Sequence, residues 1–151
     1  MTRTSNLRRQ HDAAIALVAD IQKLVASPGA LQTRETAFQV TMLLAKLTGL
    51  LRIHFAQEDR VLYPSLMVSG RGGVAATARR FAEEMGQLGP VYAAFAEKWT
   101  VTDALLADPD GFRRESTTVF DALANRIERE NHELYPMAET RGQDDEKADA
   151  A

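Results

Sequence analysis

Two side chains that can bind metal lie one helical turn apart in the middle of the chain. His54 and Glu58 are four residues apart, so on a helix both project from the same face. An imidazole nitrogen and a carboxylate oxygen that point into a helical bundle can bind one metal ion. A metal ion would also offset the cost of burying the carboxylate of Glu58. The alternative interpretation, a hydrogen bond between the two side chains in the core, stays open.

A second stretch of the chain repeats the first. Residues 54–64 and 126–136 both have Glu at the fifth position, and both end in Leu-Tyr-Pro. Tyr63 and Tyr135 therefore occupy equivalent positions. They are interpreted as core or rim residues whose hydroxyls reach a partner, or as hydrogen-bond partners of the site carboxylates. The repeat predicts that two helices end in the same way and are related by approximate two-fold symmetry.

Amphipathic helices would position these residues, because apolar residues recur every three or four positions along much of the chain. The segments span about residues 6–26, 33–63, 74–100 and 110–139. Pro64 is expected to end or bend the second helix, residues 86–90 to kink the third, and Asp108 to cap the fourth. No segment alternates with period two for long enough to be a strand. The predicted fold class is all-α, an up-down-up-down four-helix bundle with short loops.

The composition bounds the domain organisation and the partners. A length of 151 residues fits one domain. We predict a single bundle over residues 1–142, frayed at residues 1–5, and a charged tail without stable structure over residues 143–151. The net charge of −3 does not favour nucleic acid as a partner, because nucleic acid requires a basic surface. The sequence has no run of 18 apolar residues, so we predict no transmembrane helix and no membrane partner.

The residue types also bear on location. The chain has no cysteine, which excludes disulfides, thiolate metal sites and a cysteine nucleophile. Arg8 and Arg9 are followed by polar residues rather than by an apolar run, so no signal peptide is predicted. We therefore expect a cytoplasmic protein. A homodimer or another protein partner stays open.

With these motifs the chain resembles the hemerythrin-like, HHE cation-binding family over about residues 6–140. The resemblance rests on the His-x-x-x-Glu and Leu-Tyr-Pro motifs of residues 54–64 and on His11, which stands where the family has its first histidine ligand. Members of the family are four-helix bundles that bind non-haem iron, usually as a pair of ions. Some bind oxygen reversibly, and others sense oxygen, iron or redox state. The resemblance implies a hemerythrin-like bundle with iron as cofactor and a role in bacterial-type signalling.

Several ligand positions of the family are changed in this chain. Arg126 stands where the fourth helix carries a histidine, and Met85, beside Glu84, stands where the third helix usually carries one. A thioether is a poor ligand for ferric iron, so Met85 is not counted, and a second ion would need Glu83 or Glu84. The resemblance then leaves four metal ligands, which suffice for one ion with water completing its shell: His11, His54, Glu58 and Glu130.

Two functions follow from this reduced ligand set. The first is a non-enzymatic protein that holds a single iron-type ion for sensing or handling oxygen, iron or redox state. The alternative is a degenerate, metal-free bundle that acts as an interaction or signalling module, in which Arg126 replaces the charge of the metal by pairing with Glu130 or Glu58. A di-metal enzyme is disfavoured by the ligand count. His132 would point about 200° away from Glu130 on a helix, so it is predicted to be a surface residue.

Overall fold

The computed structural model describes residues 4–139, and nearly all of these are helical. The helices are α1 (Ser5–Val25), α2 (Arg34–Gln57), α3 (Tyr63–Met67), α4 (Val74–Met85), α5 (Leu88–Trp99), α6 (Thr102–Ala107) and α7 (Pro109–Arg129). Two π-helical turns, π1 (Glu58–Leu62) and π2 (Glu130–Leu134), continue α2 and α7, and residues 135–139 are again α-helical. A 3₁₀ turn, Ala30–Gln32, precedes α2. No strand occurs among the described residues, so the all-α prediction is confirmed for them.

The second helix does not end at Pro64. The backbone N–H of Tyr63 bonds to the carbonyl of Glu58, five residues back, so the hydrogen-bond ladder widens just before the proline. Pro64 has no N–H to donate, and its ring would clash with a carbonyl in a regular α-helix. The wide turn accommodates it, and the helix continues to Met67. The same turn precedes Pro136, where the N–H of Tyr135 bonds to the carbonyl at position 130.

The third helix, predicted over residues 74–100 with a kink, is interrupted between α4 and α5. A Cβ atom at Gly86 would lie 2.4 Å from the carbonyl oxygen of Ala82, so the chain can turn this tightly only at a glycine. Pro90 falls in the first turn of α5, where a missing N–H removes no helical hydrogen bond. The carbonyls in the last turn of α4 lose their helical partners at this break. One of them, that of Met85, is used in the candidate site.

The predicted helix start at Asp108 is confirmed. One carboxylate oxygen of Asp108 accepts a hydrogen bond from the backbone N–H of Gly111 at 3.0 Å, and Pro109 begins α7. Residues 102–107 form the short helix α6, which the periodicity did not predict. At the other end of the described chain, Thr4 is buried and its hydroxyl donates to Glu139 at 2.8 Å. Thr4 is therefore held against the end of the described chain, and residues 1–3 of the segment predicted to be frayed lie outside the described residues.

The start of one long helix contacts the end of its neighbour at three places. The start of α1 meets the end of α2, the end of α2 meets the start of α5, and the end of α5 meets the start of α7. These relations rest on the hydrogen bond Gln10–Gln57, the approach of Phe55 to Gly89, and the hydrogen bond Trp99–Glu115.

Two apolar clusters fill the interior, and buried polar residues lie between them along three helical stretches: α1, α2 with π1, and α7 with π2. Along α1, for example, His11 lies between Leu7 of one cluster and Ala14 of the other. Glu58 and Glu130 lie in the same way between buried apolar residues of the two clusters. The fold therefore sets a polar layer across an otherwise apolar core.

Two predictions are not tested by the described residues. The helical stretch Arg34–Met67 is long and apolar enough, by length and composition alone, to cross a membrane. Core helices of globular proteins meet the same criterion, so the absence of a membrane-spanning segment stays a prediction. The charged tail predicted for residues 143–151 lies outside the described residues, and the domain limit at residue 142 stays a prediction.

Candidate metal centre

Four buried side chains from different parts of the bundle meet at one place. His11 comes from α1, His54 from α2, Glu58 from π1 and Glu130 from π2. One ligand atom from each residue lies within 4.8 Å of the other three. Each residue is at most 2% exposed. The structure therefore brings together the four side chains that the sequence singled out as ligands.

Four of the separations between these donor atoms lie close to those between the ligands of one six-coordinate ion. His11 Nε2 lies 3.1 Å from His54 Nε2 and 3.1 Å from Glu130 Oε1. His54 Nε2 lies 2.9 Å from Glu58 Oε1 and 4.0 Å from Glu130 Oε1. With bonds of about 2.1 Å, neighbouring octahedral ligands lie about 3.0 Å apart and opposite ligands about 4.2 Å apart. Two imidazoles and two carboxylates suit divalent transition ions such as Fe²⁺ or Zn²⁺.

The outer nitrogen of each imidazole is held by an amide that the sequence did not single out. His54 Nδ1 lies 2.7 Å from Gln10 Oε1, and His11 Nδ1 lies 2.8 Å from Asn131 Oδ1. Because an amide oxygen only accepts, each Nδ1 carries a proton, so in the neutral form of either ring the lone pair of Nε2 faces the centre. Gln10 is itself oriented, since its Nε2 donates to Gln57 Oε1 at 3.1 Å. This is the tautomer that binds metal, with the outer support common at metal sites.

Arg126 also bonds both carboxylates of the centre. Its Nε donates to Glu130 Oε2, and its Nη2 donates to Glu58 Oε1 and to Asp59 Oδ1, each at 3.1 Å. Its Nη1 donates to the carbonyl oxygen of Met85, also at 3.1 Å. All three guanidinium nitrogens therefore have acceptors, although Arg126 is only 1% exposed. The carbonyl is available because the helix is broken directly after Met85.

Aromatic rings enclose this guanidinium. Its carbon lies 4.5 Å from the ring centre of Phe55 and 5.6 Å from that of Tyr63, distances at which a cation is attracted to a ring face. Burial disfavours the charge of Arg126, but the carboxylates of Glu130 and Glu58 outweigh it and raise its pKa. The centre therefore contains a permanent positive charge supplied by the chain.

Each tyrosine of the repeat bonds the glutamate of the other repeat. Tyr63 donates to Glu130 Oε2 at 2.5 Å, and Tyr135 donates to Glu58 Oε2 at 2.6 Å. Burial raises the pKa of both tyrosine hydroxyls, so both stay protonated and act as donors. The ring of Tyr135 also stacks on His11, with centroids 5.1 Å apart. The tyrosines thus hold the outer carboxylate oxygens, while the Oε1 atoms face the histidines.

The other ionisable groups of the centre shift one another's pKa values. Burial disfavours the charged form of His54, but hydrogen bonds to Glu130 and Glu58 outweigh it and raise its pKa to about 9. Burial also disfavours ionised Glu130, yet hydrogen bonds from both histidines and the charge of Arg126 hold its pKa well below the usual range. Burial and the neighbouring Glu130 raise the pKa of Glu58. Arg126 offers one positive charge to two buried carboxylates, so balance requires one more, from a proton on His54 or from a cation.

A sequence model of the hemerythrin HHE cation binding domain matches residues 2–138. The chain belongs to the hemerythrin HHE cation-binding family. Comparisons of this HHE domain with curated proteins and with solved structures found no match. The resemblance inferred from residues 54–64 and from His11 is therefore confirmed at the level of the family. The buried histidine and glutamate cluster of the HHE domain is a site that can bind a metal ion.

Some residues selected from the sequence do not bring their side chains to the centre of this HHE domain. Glu84, which was considered as a supporting residue of the site and as a ligand for a second ion, is exposed and accepts a hydrogen bond from Arg129 at 2.5 Å. Glu83 is also exposed. Met85 contributes only its backbone carbonyl, because its side chain packs in an apolar cluster. His132 is exposed, as its position two residues after Glu130 predicted.

Proposed function

We propose that this HHE domain binds a single divalent, iron-type ion through His11, His54, Glu58 and Glu130. The observation that supports the proposal most strongly is the position of the two histidines. Their Nε2 atoms lie 3.1 Å apart, while both Nδ1 atoms face amide oxygens and carry protons. Two imidazole lone pairs at this distance repel each other unless a proton or a cation lies between them. A metal ion meets this need and also supplies the second positive charge of the centre.

Arg126 favours one ion over a pair of ions. Its guanidinium already bonds Glu130 Oε2 and Glu58 Oε1, and the second of these oxygens also faces His54. A fixed cation in this place repels a second metal ion, and it cannot be removed by deprotonation. No histidine lies in α4 or α5, and Glu83 and Glu84 of α4 are exposed. The ligand set therefore supports a mononuclear centre.

The proposed role is sensing or handling of oxygen, iron or redox state in the cytoplasm, without enzymatic turnover. The cation-binding description of the family supports it, as does the burial of all four ligands, which suits a retained ion more than the exchange of a bulky substrate. The up-down-up-down order of four helices also belongs to this proposal. It is supported by the antiparallel neighbours α1 with α2, α2 with α5, and α5 with α7.

The metal-free alternative has its own supporting observation. Arg126 has four acceptors within 3.1 Å, and a proton on His54 would balance the charges of Glu58 and Glu130 without a metal. The domain would then be an interaction or signalling module held together by a buried ion pair. The two functions differ in the amount of metal that the purified protein carries.

Elemental analysis distinguishes them. We expect about one iron per chain in protein purified without oxygen from iron-supplied cells, because four ligands and one internal cation specify one ion. A ratio well below one, with no ferric absorption on exposure to air, would favour the metal-free module. A ratio near two would contradict the role given to Arg126, since a second ion would then have to bind beside the guanidinium at the same two carboxylates.

Metal binding is expected to release about one proton per ion at pH 7. Since the pKa of His54 is about 9, the metal-free protein carries this proton at neutral pH, and the ion must displace it. Apparent affinity should therefore rise about tenfold per pH unit below pH 9 and level off above it. Calorimetric titration with Zn²⁺ in buffers of different ionisation enthalpy counts the protons. An affinity that does not change between pH 6.5 and pH 8.5 would show that His54 is neutral before the metal binds.

A further inference from the structure

A groove between α2 and α5 lies beside the metal centre and is not part of it. Its volume is about 960 Å³, near the upper end of the range for sites that take small organic ligands. Leu51, Phe55, Tyr92 and Ala96 form a buried apolar floor. A hydrogen bond of 3.0 Å between Thr48 and the Tyr92 hydroxyl joins the two helices across it. The groove is thus a fixed feature of the packing of α2 on α5.

Glycine keeps this groove open at a cost to helix stability. Gly49 lies in the interior of α2 and lines the groove, and a Cβ atom at this position would meet nothing within 4 Å. Glycine in a helix interior costs about 1 kcal/mol relative to alanine. No close packing of the chain against Gly49 accounts for that cost. The missing side chain instead leaves free space along the wall of the groove.

Two exposed arginines line the groove, Arg52 midway along its α2 side and Arg60 at the end nearest the metal centre, and neither forms an ion pair with another described residue. The carboxylate of Asp59 also lines that end, but it already accepts a hydrogen bond from Arg126 at 3.1 Å. Glu97 lies farther along α5, beyond Tyr92, towards the opposite end. The charges therefore favour an anionic group between the two arginines and an apolar body along the rest of the groove.

We infer that this groove binds a small amphipathic organic anion, namely a carboxylate with an extended apolar body. The apolar body would lie on Phe55 and along the space left by Gly49, and the carboxylate would pair with Arg52 and Arg60 through charge-assisted hydrogen bonds. Phe55 and Asp59 both contact Arg126, so the charged head of the ligand lies one side chain away from the metal centre. This binding does not depend on whether the centre holds a metal.

Decanoate is a suitable probe. Decanol has an apolar chain of the same length but no negative charge. We expect the wild-type chain to bind decanoate more tightly than decanol in calorimetric titrations. Gly49→Leu should weaken both ligands about tenfold or more, because the new side chain fills the groove while improving helix propensity. The double variant Arg52→Gln, Arg60→Gln should weaken decanoate about tenfold and leave decanol unchanged. Thermal melting of each variant establishes that it is folded.

The double variant Arg79→Gln, Arg80→Gln is the matched control. It removes the same charge from exposed positions of α4 and should leave decanoate binding unchanged. An equal loss in this control, or equal binding of decanoate and decanol, would overturn the assignment of an anion. Unchanged decanoate binding in folded Gly49→Leu would overturn the groove as the location. No binding of decanoate to the wild-type chain would overturn the proposal as a whole.

Discussion

Replacing Arg126 by methionine is expected to lower the free energy of unfolding of the metal-free protein by about 3–5 kcal/mol. Methionine keeps most of the apolar stem but removes every guanidinium hydrogen bond. Two fully buried carboxylates, those of Glu58 and Glu130, would lose their permanent positive partner, and the carbonyl of Met85 would lose its donor. Urea denaturation in the presence of a chelator measures the loss. The loss should shrink as the pH falls, because protonated carboxyls no longer need the charge.

Arg129→Met is the matched control for this prediction. Arg129 lies three residues further along α7 and pairs with Glu84 and Glu133, but its side chain is 29% exposed and those of its partners 44% and 49%. Exposed ion pairs contribute at most about 1 kcal/mol, so the control should lose little stability. Equally small losses in both variants would show that Arg126 is not the charge partner of the buried carboxylates. A recovery of stability in Arg126→Met on addition of Zn²⁺ would indicate that a cation replaces the guanidinium.

The positions of His54 and Glu58 could be predicted from the sequence because they depend only on helix periodicity. Residues four apart share a face whatever the helix packs against. The place of His11 depends instead on which helices are neighbours, so it required the resemblance to the family. The direction of Arg126 could not be derived from periodicity. An arginine beside a core can extend its head to solvent, and it turns inward here because Asp59 and the broken helix at Met85 supply acceptors.

The π-turns were also not predicted from the sequence, although the sequence contains a motif that accompanies both of them. Leu-Tyr-Pro follows both of them, and each turn begins at a site glutamate. On a regular α-helix, Tyr63 would lie about 140° around from Glu58, since successive residues differ by about 100°. A turn closed by a bond between residues five apart returns both side chains to one face. The wide turns therefore bury the glutamate and tyrosine of each repeat together, so that each tyrosine reaches the carboxylate of the other repeat.

The amides were missed for a different reason. Gln10 and Asn131 are direct sequence neighbours of His11 and Glu130, and neighbouring residues on a helix point about 100° apart. Both amides can still reach the centre, because the two nitrogens of an imidazole lie on different edges of the ring and can bond different partners. Glu130 reaches Nε2 of His11 while Asn131 reaches Nδ1 of the same ring. A polar residue next to a ligand on an otherwise apolar helix face is the signal that could have identified them.

Replacing His54 by alanine is expected to lower the affinity for Zn²⁺ by about a hundredfold to a thousandfold. Four-ligand zinc sites contribute about 10–16 kcal/mol in total, so each ligand carries about 2.5–4 kcal/mol. Gln10→Ala should cause a smaller loss, about 10–100-fold, because it frees the His54 ring to rotate and change tautomer without removing the ligand. Competition against a chromophoric chelator at fixed pH measures both. The loss in Gln10→Ala should be seen in affinity alone, with one ion per chain retained.

His132→Ala is the control for this series, because it removes an exposed histidine from the same helical region as Glu130. It should leave the affinity unchanged, since His132 makes no contact with the four ligands. A loss in His132→Ala equal to that in His54→Ala would place the metal on the surface of the domain. Full affinity in His54→Ala would contradict the four-ligand centre itself. The loss of Zn²⁺ affinity should therefore decrease in the order His54→Ala, Gln10→Ala, His132→Ala. This order distinguishes a ligand, the amide that orients it, and a histidine that does not bind the metal.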